Sequence, residues 1–180
     1  VSLVRPEKAY DTPRALETAE IADIVAAYRL GAEKKKKAGF DGVEVHGANG
    51  YLLDQFLQTS TNQRTDQYGG SLENRARLLL EVTDACIAVW GADRVGVHLA
   101  PRRDAHDMGD ANPAETFGYV AEQLGQRQIA FICTREHQAD DSLAGLIKAK
   151  FGGVYIANEN FEQAQAEAAI ASGYADAVAF

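Results

Sequence analysis

Hydrophobic positions along the chain follow two alternating rhythms. Between Thr18 and Ala38, Ile21, Ile24, Val25 and Tyr28 fall at i, i+3, i+4 and i+7, the spacing that lines one face of a helix, with Gly39 placed to end it. A short apolar stretch, Gly42 to His46, then reads as a buried strand, and the residues after it, GANGYLLDQF, run on into a helix. From Ser71, a suitable N-cap, the set Leu72, Ala76, Leu79, Leu80, Thr83, Cys86, Ile87 and Trp90 keeps helical spacing. RVGVHLAP predicts a second strand closed by Pro101. ANPAETFGYVAEQL predicts a helix with Asn112 as cap, Pro113 at its first position and Glu115 completing a capping box. A third strand in QIAFICT, a helix from about Asp141 to Ala149, a fourth strand in GGVYIAN, a helix from Phe161 to Ser172 ended by Gly173, and the start of a fifth strand in DAVAF complete the pattern.

Strict alternation of short apolar strands with helices implies a parallel sheet covered by helices, an α/β fold. Two architectures share that signature, the doubly wound open sheet and the (β/α)8 TIM barrel. No G-x-G-x-x-G turn follows any strand, and polar residues cluster at strand C-terminal ends: His46 with Asn49, His98, Thr134 with Glu136, and Asn158. That favours a barrel, whose active site is built from those ends. Five strands do not close one. The expectation is therefore a single partial TIM-barrel domain over residues 1–180, with about three strands preceding Val1 or a second copy covering the open edges. A start at Val1 and an end inside ADAVAF suggest a chain cut at both ends.

Composition narrows the class. The net charge of −8 argues against nucleic acid as a partner, and the run Lys34 to Lys37 is read as complementing a helix C-terminus. There is no long apolar run and no secretory pattern, so neither a membrane span nor a leader is expected, and the location is read as cytoplasmic. Cys86 and Cys133 sit in apolar patterns without metal-ligand spacing, which predicts two buried free thiols. No metal site is expected: His98, Asp104, His106 and Asp107 could be imagined as ligands, but PRRDAHDMGDANP reads more simply as a polar loop. Taken alone, GFDGVEVHGANGYLLDQF leaves two readings open. His46, Asn49 and Tyr51 could do proton or hydrogen-bond chemistry at a strand end, His46 and Asn49 sharing a face if the segment turns helically. Alternatively, His46 is a satisfied core histidine, Asn49-Gly50 a turn and Tyr51 the start of a buried helix.

GFDGVEVHGANGYLLDQFL followed by TNQRTDQYGGSLENRARLLLEV closely resembles the corresponding region of the Old Yellow Enzyme family, and a looser likeness runs from TPRALETAEI to ADAVAF. The resemblance implies the fourth to eighth strands of a (β/α)8 barrel. It also implies an FMN-dependent oxidoreductase that takes reducing equivalents from NADPH or NADH and passes hydride to a small-molecule acceptor: an activated alkene, nitrate ester or nitro compound. In that family's terms His46 and Asn49 would hydrogen-bond the acceptor's oxygen, Tyr51 would supply a proton, and His46, His98, Asn158 and Glu159 would lie against the cofactor. His98 stands where the family usually has arginine, and Glu159 where it has small or glycine-rich residues around the phosphate. The block around Tyr68 is expected to brace a loop, through ion pairs among Arg64, Asp66, Glu73 and Arg75. Two other readings come from different classes: a non-catalytic half-barrel that self-associates into a homo-oligomer, and a flavin-free barrel enzyme of the aldolase or isomerase sort.

Overall fold

The computed structural model describes residues 13–102, 106 and 108–180. Five strands, β1 (Val43–Gly47), β2 (Val95–Leu99), β3 (Phe131–Arg135), β4 (Val154–Asn158) and β5 (Ala177–Ala179), form one parallel sheet. Six α-helices connect or flank them: α1 (Thr18–Lys37), α2 (Leu52–Leu57), α3 (Leu72–Trp90), α4 (Pro113–Gln126), α5 (Ala144–Phe151) and α6 (Gln163–Ala171). Spatial strand order equals sequence order, β1-β2-β3-β4-β5. A doubly wound sheet reverses direction at a switch point, so an unreversed order is that of a barrel arc. Among the described residues β1 and β5 are its edges.

Strand alternation separates two faces. Val45, Val97, Leu99, Ile132, Tyr155 and Ala157 are buried beneath the helices. The other face carries a row set by the register His46↔His98↔Cys133↔Ile156↔Ala177. That row lies on the concave side, where Glu44 and His46 are exposed. The helical side supplies the core: Leu78, Leu79 and Val82 of α3 and Phe117, Val120 and Leu124 of α4 are all fully buried. Each such side chain contributes roughly 1.5–3 kcal/mol of burial free energy.

The helix ends show which sequence signals act. Ser71 caps α3 by accepting from the Asn74 N–H. Gly39 (φ 83) takes the left-handed conformation just past α1, whose last turn carries Lys34 to Lys37 as expected. At α4 the expected capping box is only half made. The Asn112 side chain accepts from the Glu115 N–H, but Glu115 accepts from the Asn112 amide instead of its backbone, because Asp110 already takes the Asn112 N–H. Helix α5 begins three residues later than expected and α6 two, the latter behind a capping box between Glu162 and Gln165. Thr134 and Glu136 do not face the concave side as their strand-end positions suggested. Thr134 is buried on the helical side against the Tyr155 hydroxyl, and Glu136 accepts from the Leu143 N–H at 2.7 Å, which ties down the entry to α5.

Candidate active site

The C-terminal ends of β1, β2 and β3 bring three rings and a guanidinium together. His46 and His98 are register partners, and their rings meet edge to face at 5.3 Å between centroids. Tyr51 lies on the other flank of His46, 5.4 Å away between ring centroids. Asn49 joins them through a turn and not through a helical segment: it adopts φ 59, Gly50 follows at φ 73, and α2 starts only at Leu52. Asparagine tolerates this left-handed conformation better than most residues, so the Asn49-Gly50 pair is chemically suited to it.

That turn is locked from beneath by Asp54, which sequence reasoning did not single out. Its buried carboxylate accepts from the Gly50 N–H at 2.9 Å and from the Gln58 amide at 2.7 Å. Burial drives its pKa up to about 6 against those two hydrogen bonds. Gln55 closes the turn from the other side by donating to the Gly50 carbonyl at 2.6 Å. A cue was available in the sequence: an acid four residues after Gly50, at the start of an otherwise apolar helix, has to be hydrogen-bonded if buried.

Partial desolvation of the exposed His46 lowers its pKa, and fuller burial takes His98 down to about 4 with smaller contributions from the nearby His46 and Arg135 charges. Both imidazoles are therefore neutral near pH 7, able to donate from one nitrogen and accept at the other. The Nε2 of His98 is buried without a hydrogen-bond partner.

Arg135, also missed from sequence, reaches across this end of the sheet. Its Nη2 pairs with Glu159 at 2.6 Å, and its Nη1 donates to Asn49 Oδ1 at 3.4 Å. The signal was period two: Arg135 is one pleat beyond Cys133, so it must share the concave face. Glu159 consequently points inward, at φ 94, and its Oε2 is buried without a partner. Asn160 is also left-handed, at φ 58. These two residues line a cleft of about 330 Å³ with His137, Gln138, Phe161 and Gln165. The amide of Asn158 donates to the Ala179 carbonyl at 3.1 Å, tying β4 to β5.

The braced block behind Tyr51 behaves largely as expected. Arg64 pairs with Asp66 and also donates to the Leu16 carbonyl. Arg75 donates to the carbonyls of Leu57 and Gly70 and to Thr116, and lies 3.7 Å from Asp110. Glu73 is held mainly by the helix start, through its own backbone N–H and Ser71, with a smaller attraction from Arg75. Of the alternative metal ligands, Asp104 and Asp107 lie outside the described residues, and His106 packs against the Tyr51 ring at 6.0 Å.

An isoalloxazine ring suits the β1–β2 side of this site. The orphaned His98 nitrogen, adjacent to His46 on a concave face, is a polar group in want of a polar ring edge. The rim at Glu159 suits a phosphate less well, since a carboxylate already occupies the guanidinium there.

Comparison with known proteins shows the family. The chain is 45% identical over 174 residues to a probable flavin mononucleotide-dependent alkene reductase of Leishmania infantum, covering 95% of this chain and 48% of that protein. It is 43% identical to putative 12-oxophytodienoate reductase 6 of Oryza sativa subsp. japonica, covering 95% of this chain and 46% of the relative. The structure of morphinone reductase in complex with tetrahydroNAD superposes with a TM-score of 0.90 at 45% identity, over 94% of this chain and 47% of that one. The old yellow enzyme homologue from Zymomonas mobilis gives 0.92 at 40% identity, over 96% and 51%. The chain thus spans about half the length of these proteins. Residues 3–180 match the family model described as NADH:flavin oxidoreductase / NADH oxidase, and to that family, with its Old Yellow Enzyme-like members, the chain belongs.

Proposed function

We propose that this chain carries the substrate-polarising half of an FMN-dependent NAD(P)H oxidoreductase acting on activated alkenes such as enones, and on nitrate esters or nitro compounds. The observation that carries the reading is the convergence of His46, Asn49 and Tyr51 at the end of β1 in a chain of this family. When bound, FMN supplies the hydride, drawn from NADPH or NADH. The chain's own residues do the rest. Neutral His46 donates an N–H to the acceptor's carbonyl or nitro oxygen, and the Asn49 amide donates a second hydrogen bond while Arg135 holds its Oδ1. Charge developing on that oxygen is thereby stabilised, an effect worth on the order of 10²-fold or more in rate per donor. The Tyr51 hydroxyl gives its proton to the alkene carbon that does not take the hydride, and recovers one from solvent. His98, Asn158 and Glu159 are the remaining cofactor-side candidates, with His98 best placed by its orphaned Nε2.

A cytoplasmic, reducing setting fits the free thiols Cys86 and Cys133, and no described helix is long and apolar enough to cross a membrane. The partners we infer are a small-molecule substrate and a second copy of the chain, with neither nucleic acid nor membrane. The test is to add excess FMN, remove what is unbound and record the visible flavin absorption. Retained flavin in about equimolar amount, with phenol binding lost in His46→Ala and Asn49→Gly, supports the reading. Flavin retention with unchanged phenol binding in both variants would remove the assigned roles.

A second reading is the self-associating half-barrel, to which β1 and β5, the edges of the sheet among the described residues, would offer unpaired backbone groups. A monomer in sedimentation, with cooperative unfolding, would count against it.

A further inference from the structure

The concave face holds a second constellation, one pleat below His46. Glu44 from β1, His98 from β2 and Cys133 from β3 each direct one ligand-type atom to a common point, all three atoms lying within 4.8 Å of one another. Adjacent parallel strands produce this directly: His98 and Cys133 are register partners, and Glu44 is two residues before His46, the other partner of His98. None of these spacings is visible in the sequence as a metal motif, because the ligands are separated by 54 and 35 residues and meet only through sheet pairing.

We propose that Glu44, His98 and Cys133 form a three-ligand site for a divalent borderline transition metal, zinc above all, with a fourth position open to water. The donor set is chemically selective. A thiolate discriminates against magnesium and calcium, and mixed N/S/O donation in a tetrahedral frame is what zinc accepts. Zinc bond lengths of about 2.0–2.3 Å place tetrahedral ligand atoms roughly 3.4–3.6 Å apart. The observed spread of at most 4.8 Å closes with about 1 Å of side-chain movement, available to the exposed Glu44. A second observation points the same way: His98 Nε2 is buried and lacks any hydrogen-bond partner, although an imidazole on a sheet face normally has both nitrogens engaged. Phe131 fills the floor beside this point, its ring lying over Gly96 so closely that a Cβ there would be 2.2 Å from it. The opposing charge is Arg135, one pleat above Cys133, and its guanidinium is neutralised by Glu159 at 2.6 Å. Coordination releases the Cys133 proton to solvent, so Zn²⁺ with the thiolate, the carboxylate and a neutral imidazole makes a formally neutral site.

Cobalt(II) is the probe, because a thiolate ligand gives it a charge-transfer band and tetrahedral coordination intensifies its d–d bands. Flavin-free protein, kept reduced with a phosphine, is titrated with Co²⁺ and then back-titrated with Zn²⁺. The expected result is one equivalent of a thiolate-to-cobalt band, bleached by zinc, absent in Cys133→Ser and retained in Cys86→Ser. Glu44→Gln and His98→Ala, each checked for native circular dichroism, should weaken cobalt binding by at least about tenfold, the lower end of what loss of even an outer-shell partner costs. No band at excess cobalt overturns the proposal, as does a band that survives Cys133→Ser. If Cys133→Ser does not fold, unchanged affinity in both Glu44→Gln and His98→Ala overturns it equally. Metal and flavin are alternative occupants of the His98 Nε2, so the titration is made without flavin and its outcome does not depend on the proposed oxidoreductase function.

Discussion

The two rims of the concave face are built differently. At the β1 end, the strained turn has dedicated supports: the left-handed Asn49-Gly50 pair rests on Asp54 and Gln55, and the loop behind it is pinned by Arg64 and Arg75. At the β4 end, two consecutive non-glycine residues, Glu159 and Asn160, are left-handed, and one buried carboxylate oxygen of Glu159 has no partner. Under the proposed function, the first rim holds donors in place before a substrate arrives. The second holds a strained carboxylate against Arg135 where an anionic ligand would have to compete. Preorganisation and strain thus sit on opposite sides of one sheet.

The largest expected effect tests the organised rim. His46→Ala should lower turnover of an enone by on the order of 10²-fold or more, measured with saturating reductant, with little change in melting temperature because His46 is exposed. A loss of under about threefold would mean that the rim is scaffolding and not machinery.

Gly69→Ala should come next. A Cβ there would lie 2.2 Å from the Arg64 carbonyl oxygen, so the brace must shift, at a cost of roughly 1–3 kcal/mol in denaturant unfolding. An unchanged midpoint would show that the loop yields freely and that the contrast between the rims is smaller than the hydrogen bonds suggest.

The third prediction uses pH. Asp54 is raised from 3.8 to about 6, so the folded state binds that proton more tightly than the unfolded chain; stability falls as pH rises from about 4 to about 6, by on the order of 2 kcal/mol. His98 runs the other way. Lowered from 6.5 to about 4, it contributes stability that is present above about 6.5 and lost as pH falls toward about 4. Asp54→Asn should therefore remove a falling slope and His98→Asn a rising one, read as denaturation midpoints across that range. Parallel profiles for the two variants would refute the assignment.

The smallest effect belongs to the strained rim. Glu159→Gly relieves a left-handed conformation costing about 1–3 kcal/mol but gives up the pairing with Arg135. The net change in stability should be a gain within about 1 kcal/mol. A loss larger than that would place the ion pair above the strain, and the two rims would then be equally well supported.

Much of the fold was readable because helix and strand periods are local. Ser71, Gly39 and the apolar run of α3 act where the pattern puts them. The readings that changed all involved competition between neighbours in space. Asp110 took the N–H that the capping box at Asn112 needed, Thr134 turned to the helical side, and the Asn49 turn displaced the helical geometry imagined for His46 and Asn49. Arg135 and Asp54 each carry a local signal, period two for one and an acid in an apolar helix for the other, but such signals place a side chain on a face without saying what it meets there.

By itself, the sequence determined the alternation of strands and helices, the concentration of polar residues at strand C-termini, and the pair of blocks around His46 and Tyr68 that mark the family. These are properties of residue type and spacing. Only the tertiary structure decided which of those residues meet: parallel pairing set His46 beside His98 and His98 beside Cys133, and the β3–β4 register brought Arg135 to Glu159. Register is a long-range quantity, fixed when buried faces of separate strands are packed at once, and no local window of sequence contains it.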